Sequence, residues 1–263
     1  MIIVKIGGGA GLNIQAIIKD LSEINEKFII VHGANAVRDK LAEDLKSPKT
    51  VVTSVSGYSS VLTDEMALDV MMMAYSGLKN KRIVEMCQQA GINAVGLTGL
   101  DGKLVQGKRN AGIRVKEDGK LKLLRDFSGK PQSINLNLLN LLLDNGYVPV
   151  IAVPIIDENN CAINTENDDV IAVLQSQILA DKIIQFIEAP GFLEDSKNPD
   201  SLVKKISKLE LEQREAQVEG RMKRKILALR KLFEKGDTTV IIADGRIENP
   251  VKNALNGGGT LIQ

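Results

Sequence analysis

The sequence predicts an α/β fold with a mainly parallel sheet, on two observations: short apolar, β-branched runs of the kind a sheet buries on both faces, and helical patterns standing between them. The first run, Ile2–Ile6, is followed by a helical pattern over Ile14–Asn25, and the second, Phe28–Val31, leads straight into another helix start. A long helical stretch covers Asp64–Ala90, and a strand is expected at Ala94–Leu97. Between Asp101 and Lys130 the pattern changes to short alternating segments broken by Gly107, Gly112, Gly119 and Gly129. Asp118-Gly119 is a hairpin signal, so a β-hairpin excursion from the main sheet is expected there. A helix over Ile134–Asn145, a strand at Val148–Val153 and a helix over Asp168–Leu179 follow. Strands at Ile183–Ile187 and Thr239–Ala243 flank a last helix, Met222–Glu234, in which Met222, Ile226, Leu229 and Phe233 recur at steps of 4, 3 and 4, as one buried stripe requires. A lobe boundary is expected near residues 178–182, giving lobes of 1–180 and 181–263.

Bulk properties narrow the function. A chain of 263 residues buries roughly 70–75% of its unfolded surface, so no staple is needed to hold it. Its net charge of +1 gives no overall pull toward nucleic acid or membrane, and 3% aromatics without Trp leave little for base or sugar stacking. Cys87 and Cys161, far apart, form no CxxC pair or disulfide framework, which points to a reducing compartment. No secretory signal precedes the first strand, so the cytoplasm is the expected location.

The residues suited to chemistry cluster at strand-to-helix junctions. Val4-Lys5-Ile6-Gly7-Gly8-Gly9-Ala10-Gly11 closes the first strand, where glycines let backbone N–H groups approach phosphate oxygens and the next helix adds a positive dipole end. A tight turn would explain the glycines alone; Lys5 points further, because a lysine at the end of a buried strand needs an anionic partner. Neither the P-loop spacing nor the dinucleotide fingerprint fits. The second junction reads Val31-His32-Gly33-Ala34-Asn35, and two such loops side by side form an anion cleft at a sheet's carboxyl edge. His32 is the only histidine, which disfavours a multi-histidine metal site and suits a structural, hydrogen-bonded role. Asn164-Thr165-Glu166-Asn167-Asp168-Asp169 is either an ordinary helix cap or a site in which Asp168 orients lysines and Asn164 holds substrate. In Gly220-Arg221-Met222-Lys223-Arg224-Lys225 four cations crowd a first helical turn, where the dipole disfavours them; an anionic ligand or a solvated face accounts for that.

Together these motifs, Lys5-Ile6-Gly7-Gly8, His32-Gly33, Asn164 to Asp168 and Gly220 to Lys225, resemble the amino acid kinase family over essentially the whole chain. Within it the chain is most similar to the acetylglutamate kinase branch, and especially to kinases of aminoadipate or glutamate attached to the carrier protein LysW. Leu78-Lys79-Asn80-Lys81-Arg82, Val95 to Gly102 and Ala162 to Thr165 add to that narrower resemblance. The resemblance implies a three-layer αβα sandwich and transfer of a phosphoryl group from ATP to a side-chain carboxylate, with Mg²⁺ held mainly by the ATP. It implies that Lys5 and Lys225 stabilise the transferring group and Asp168 holds them. Gly7, Gly8, Gly9 and Gly11 would cradle phosphates, Gly33, Ala34, Asn35 and Asn164 would hold the amino acid, and the part from Asp181 onward would take the nucleotide. It further implies a homodimer or higher homo-oligomer, for which Met71-Met72-Met73 offers either an interface or a core cluster.

Two departures from the branch concern the substrate. Val61 stands where an arginine usually grips the α-carboxylate, with Arg38 a candidate replacement, and the second loop reads His-Gly-Ala-Asn where relatives have a third glycine. Across Asp101–Lys130 nine basic residues face four acidic ones, a local +5 that suits an acidic carrier or, alternatively, a solvated hairpin. An N-acetylglutamate kinase acting on a free substrate is the enzyme alternative. A catalytically silent, nucleotide-binding regulatory relative is the non-enzyme one.

Overall fold

The computed structural model describes residues 1–263 apart from positions 54, 56–58, 118, 119, 196, 218, 219 and 235; of 59, 60, 117, 217 and 220–225 it describes only the backbone. The chain opens with β1 (Ile2–Ile6), α1 (Ile14–Leu21), β2 (Phe28–His32), α2 (Asn35–Asp44), β3 (Val51–Thr53), β4 (Ser59–Val61) and α3 (Glu65–Met72). A π-helical stretch, Met73–Lys79, joins α3 to α4 (Asn80–Gln89), so the expected long helix is one rod with a widened middle. Next come β5 (Ala94–Thr98), β6 (Val105–Arg109), β7 (Ile113–Glu117), β8 (Lys120–Leu124), β9 (Gly129–Ile134), α5 (Leu136–Asp144), β10 (Val148–Ala152), β11 (Ile155–Ile156), β12 (Ala162–Ile163) and α6 (Asn167–Ile178). The chain finishes with β13 (Lys182–Ile187), β14 (Lys205–Ile206), α7 (Lys208–Gln217), α8 (Gly220–Lys231), β15 (Thr239–Asp244), α9 (Pro250–Leu255) and β16 (Thr260–Ile262).

The main sheet has the order β14-β16-β15-β13-β1-β2-β10-β5. Its strands from β15 to β5 are parallel, and β16 runs antiparallel to β15. Alternation along each strand sends Ile3, Ile29, Val31, Ile151 and Ile183 into one core with α5, α6 and α8. Ile2, Val4, Ile6, Ile30, Ile184 and Phe186 enter the other, with α1, α4 and α9. Both faces are therefore covered, giving the three-layer αβα sandwich expected. The sheet runs unbroken through the expected lobe boundary, since β1 pairs with β2 on one side and β13 on the other.

The excursion is a second sheet, β12-β11-β6-β9, with the β7–β8 hairpin standing out from it. Asp118 and Gly119 lie outside the described residues, but the strands flanking them pair in antiparallel register. Of the expected stripe on α8, Ile226 and Leu229 are buried, Phe233 packs at the core's edge just beyond the helix, and the Met222 side chain lies outside the described residues. Met71 is core while Met73 is exposed.

Candidate active site

The glycine junctions of β1 and β2 meet at the sheet's carboxyl edge. Gly33 N–H donates to Ile6 O at 2.9 Å and Ala36 N–H to Gly8 O at 2.9 Å, which locks the two loops together. A Cβ on Gly8 would lie 2.7 Å from Asn35 N, and one on Gly33 would lie 2.9 Å from Gly8 N, so both positions require glycine. A Cβ on Gly9 would fall 2.1 Å from the Glu188 carboxylate, and that carboxylate accepts the Gly11 N–H. A carboxylate thus already sits against the glycine loop. Gly7 N–H donates to Phe186 O at 3.1 Å and anchors the loop to β13.

Lys5, at the end of β1, forms an ion pair with Asp168 in the first turn of α6, their side chains 15% and 31% exposed. Asp168 is therefore no helix cap: the N-cap is Glu166, which makes no side-chain capping bond. Asn164 is likewise turned elsewhere, its Nδ2 donating to Thr63 Oγ1 at 3.1 Å. Thr63 is fixed in turn by its N–H to Asp126 Oδ1 at 2.9 Å, and the same buried carboxylate accepts the Ser128 N–H and hydroxyl. Thr165 Oγ1 and Asn167 Oδ1 are buried without a hydrogen-bond partner, and Asn167 Nδ2 lies 3.5 Å from where a Cβ on Gly33 would sit. Unpaired polar atoms beside an open cleft are groups that a polar ligand would satisfy.

His32 has the structural role. Its Nδ1–H donates to Gly33 O at 3.3 Å, which leaves Nε2 to accept from Asn80 Nδ2 at 3.1 Å. Burial pushes the imidazole down to about 4, so it is neutral. Arg38, the candidate to replace the arginine missing at Val61, has its guanidinium on Asp39 Oδ1 at 3.0 and 2.7 Å, and Val61 is exposed.

On the far side of Lys5 and Asp168 opens a cavity of about 200 Å³, lined also by Gln185, Ile187, Gly191, Phe192, Leu193, Leu229 and Ile242. Its apolar walls with a few polar groups suit a flat heteroaromatic base. Ala228 and Leu229 on α8 border it, so the helix that carries Lys225 flanks the site; the Lys225 side chain itself lies outside the described residues. Asp181 is not brought here. It pairs with the Met1 ammonium at the amino end of β1 and β13, the opposite edge of the sheet, because it precedes its strand whereas ligand loops follow theirs. Thr63, Asp126 and Glu188 join these residues without any signal in the sequence, and Asn167 comes from the Asn164–Asp169 motif. Among the described residues no three His, Cys, Asp or Glu side chains are grouped to hold a metal ion.

The model of the amino acid kinase family matches residues 1–244. A [LysW]-aminoadipate kinase of Thermus thermophilus is 39% identical, with all of both chains covered. One from Deinococcus radiodurans is 38% identical over all of this chain and 91% of the relative. An acetylglutamate kinase of Methanopyrus kandleri is 28% identical over the full length of both. Among solved structures, smu.665 from Streptococcus mutans superposes with a TM-score of 0.75 at 21% identity, covering 100% of this chain and 98% of that one. Giardia carbamate kinase does so with a TM-score of 0.65 at 16% identity, covering 99% and 97%. With its glycine cradle, its Lys5–Asp168 pair and this match over nearly its whole length, the chain belongs to the amino acid kinase family.

Proposed function

We propose that the protein transfers the γ-phosphoryl group of ATP to the side-chain carboxylate of 2-aminoadipate, or glutamate, whose amino group is attached to LysW. A carboxylate oxygen attacks the γ-phosphorus, the bond to the β–γ bridging oxygen breaks, and an acyl phosphate and ADP result. No proton has to move, so the chain's work is positioning and charge stabilisation. The observation that carries this reading is the Lys5–Asp168 pair, set between the glycine cradle and the apolar cavity. Lys5 and Lys225 would neutralise the transferring group, Asp168 would hold Lys5 in line, and Gly7, Gly8, Gly9 and Gly11 would cradle the phosphates. Gly33, Ala34, Asn35 and Asn164 would hold the amino acid. For the nucleotide, the walls around Gln185 and Phe192 replace Asp181. Mg²⁺, held by phosphate oxygens, would spread the charge that develops on them.

The β7–β8 hairpin supports the carrier part of the reading. Cross-strand register puts Arg114 opposite Leu123 and Lys116 opposite Leu121, so these four share one face. Leu121 and Leu123 are 73% and 61% exposed, and Arg114 and Lys116 are exposed as well. Lys130, by contrast, is engaged with Asp169, and Arg109 lies over the Phe127 ring. A cationic face with two bare leucines fits an acidic protein better than a small free substrate. We also place the enzyme in the cytoplasm as a homodimer serving lysine or arginine biosynthesis, with Met66 and Met73 on the exposed side of the long rod as the offered interface.

An ADP-release assay with Mg-ATP tests the reading on four substrates: N-acetylglutamate, N-acetylaminoadipate, and LysW carrying either amino acid. Turnover of the carrier-linked acids alone is expected. Turnover of free N-acetylglutamate would move the enzyme to the acetylglutamate kinases, and silence with all four would make it a nucleotide-binding relative without this activity.

A further inference from the structure

The π-helical stretch Met73–Lys79 reaches the second glycine loop through Tyr75. Tyr75, 3% exposed, donates its hydroxyl to Asn35 Oδ1 at 2.6 Å. With the hydroxyl directed at Oδ1, the amide oxygen is the end turned toward the tyrosine and Nδ2 is the end turned away. Burial raises the phenol above its ordinary value and keeps that proton in place. The rest of the loop is held from the same rod, since Asn80, the first residue after the π stretch, donates to His32 at 3.1 Å. Asn35 itself is exposed, opens α2, and lies in van der Waals range of Gly8 in the phosphate loop, 3.2 Å from where a Cβ on Gly8 would be.

We propose that Tyr75 is a positioning residue that turns the Asn35 side-chain amide so that its N–H₂ group, not its oxygen, faces the reacting carboxylate and the incoming phosphoryl group. At this position the chain carries a side chain in place of the third glycine of related loops. The Asn35 amide supplies a donor between the two loops, where charge passes from carboxylate to phosphoryl oxygen. An unheld amide is free to rotate in the empty site and has to be turned by the anions as they bind. The hydrogen bond from Tyr75 removes that freedom.

This inference rests on the kinase reading above, and the experiment keeps the two apart. Steady-state rates are measured for the wild type, Asn35→Ala, Asn35→Asp, Tyr75→Phe and the Tyr75→Phe/Asn35→Ala double variant, varying the acidic substrate and ATP separately. Loss of a hydrogen bond to a charged group lowers kcat/KM for the acidic substrate by roughly tenfold or more in Asn35→Ala, with KM for ATP little changed. Tyr75→Phe loses a smaller part of that, and the double variant is no worse than Asn35→Ala. Asn35→Asp separates catalysis from folding: a carboxylate in the first turn of α2 favours the helix and keeps or raises Tm, while activity falls further than with alanine. Multiplicative losses in the double variant, or an Asn35→Ala enzyme as active as the wild type, would overturn the inference and leave the kinase reading standing. A silent wild type would overturn both.

Discussion

Lys5 and Asp168, 163 positions apart in sequence, form an ion pair that ties the central strand β1 to the first turn of α6. Both side chains retain some exposure, so the pair adds little to stability, and its value lies in where it holds the Lys5 ammonium. Lys5→Met should lower kcat about 10²–10³-fold, as the loss of one stabiliser of developing charge does elsewhere. Asp168→Asn should cost roughly tenfold or more by loosening Lys5. Unfolding free energies should stay within about 1 kcal/mol of the wild type in both. Denaturant titrations run beside the kinetics check this, and a large stability loss with normal turnover would make the pair a structural strut.

His32 makes a prediction about pH. Burial takes its pKa from 6.5 to about 4, so the unfolded chain gains the proton before the folded one does. The stability tied to this residue is complete above about pH 6.5 and drains as pH falls toward about 4, by up to about 3 kcal/mol. Denaturation midpoints measured from pH 7 to pH 4.5 should fall less steeply in His32→Asn than in the wild type. Equal slopes would assign the acid sensitivity to other groups.

Asp126 is 1% exposed and its carboxylate holds the backbone at both Thr63 and Ser128. Asp126→Ala should destabilise the fold by about 2–4 kcal/mol, since it strands several buried donors. It should also raise KM for the acidic substrate, because Thr63 orients Asn164. Thermal melts and substrate titrations at a temperature well below the midpoint separate the two effects. An unchanged KM would remove Asn164 from substrate binding.

Replacing Arg114 and Lys116 with glutamine should slow phosphorylation of carrier-linked substrate about tenfold at low salt and flatten its dependence on ionic strength. Any activity on acetylated substrates should be untouched. Stopped-flow association with the loaded carrier gives the rate directly, and an unaltered salt slope would show that the hairpin plays no part in docking.

The glycine loops and Lys5 were legible in the sequence because each needs a residue type that its position makes costly otherwise: glycine where two backbones touch, a cation at the end of a buried strand. The Tyr75–Asn35 and Thr63–Asp126 contacts were not legible, because a tyrosine in a helix and a threonine before one read as ordinary core and cap. Only the packing of segments 40 and 63 positions apart gives them partners. Asp181 lies at the other edge for a reason the sequence did hold: it precedes its strand, and in a parallel sheet the residues before a strand lie at the amino edge, away from the ligand loops. The helix Lys208–Gln217 went unread because Leu211 is buried while Leu209 is 65% exposed, so its two leucines mark no apolar stripe.

The place of β1 also bears on how the chain is made. Its first edge is covered by β2 after some twenty residues, but the other stays open until β13, beginning at Lys182, has been synthesised and has docked. Until then a strand of near-continuous isoleucine and valine has a bare hydrogen-bonding edge, the kind of surface that invites pairing with another chain. Made long before its second partner, β1 is thus among the last strands to be finished, and this protein should depend on chaperones during synthesis more than its size alone suggests.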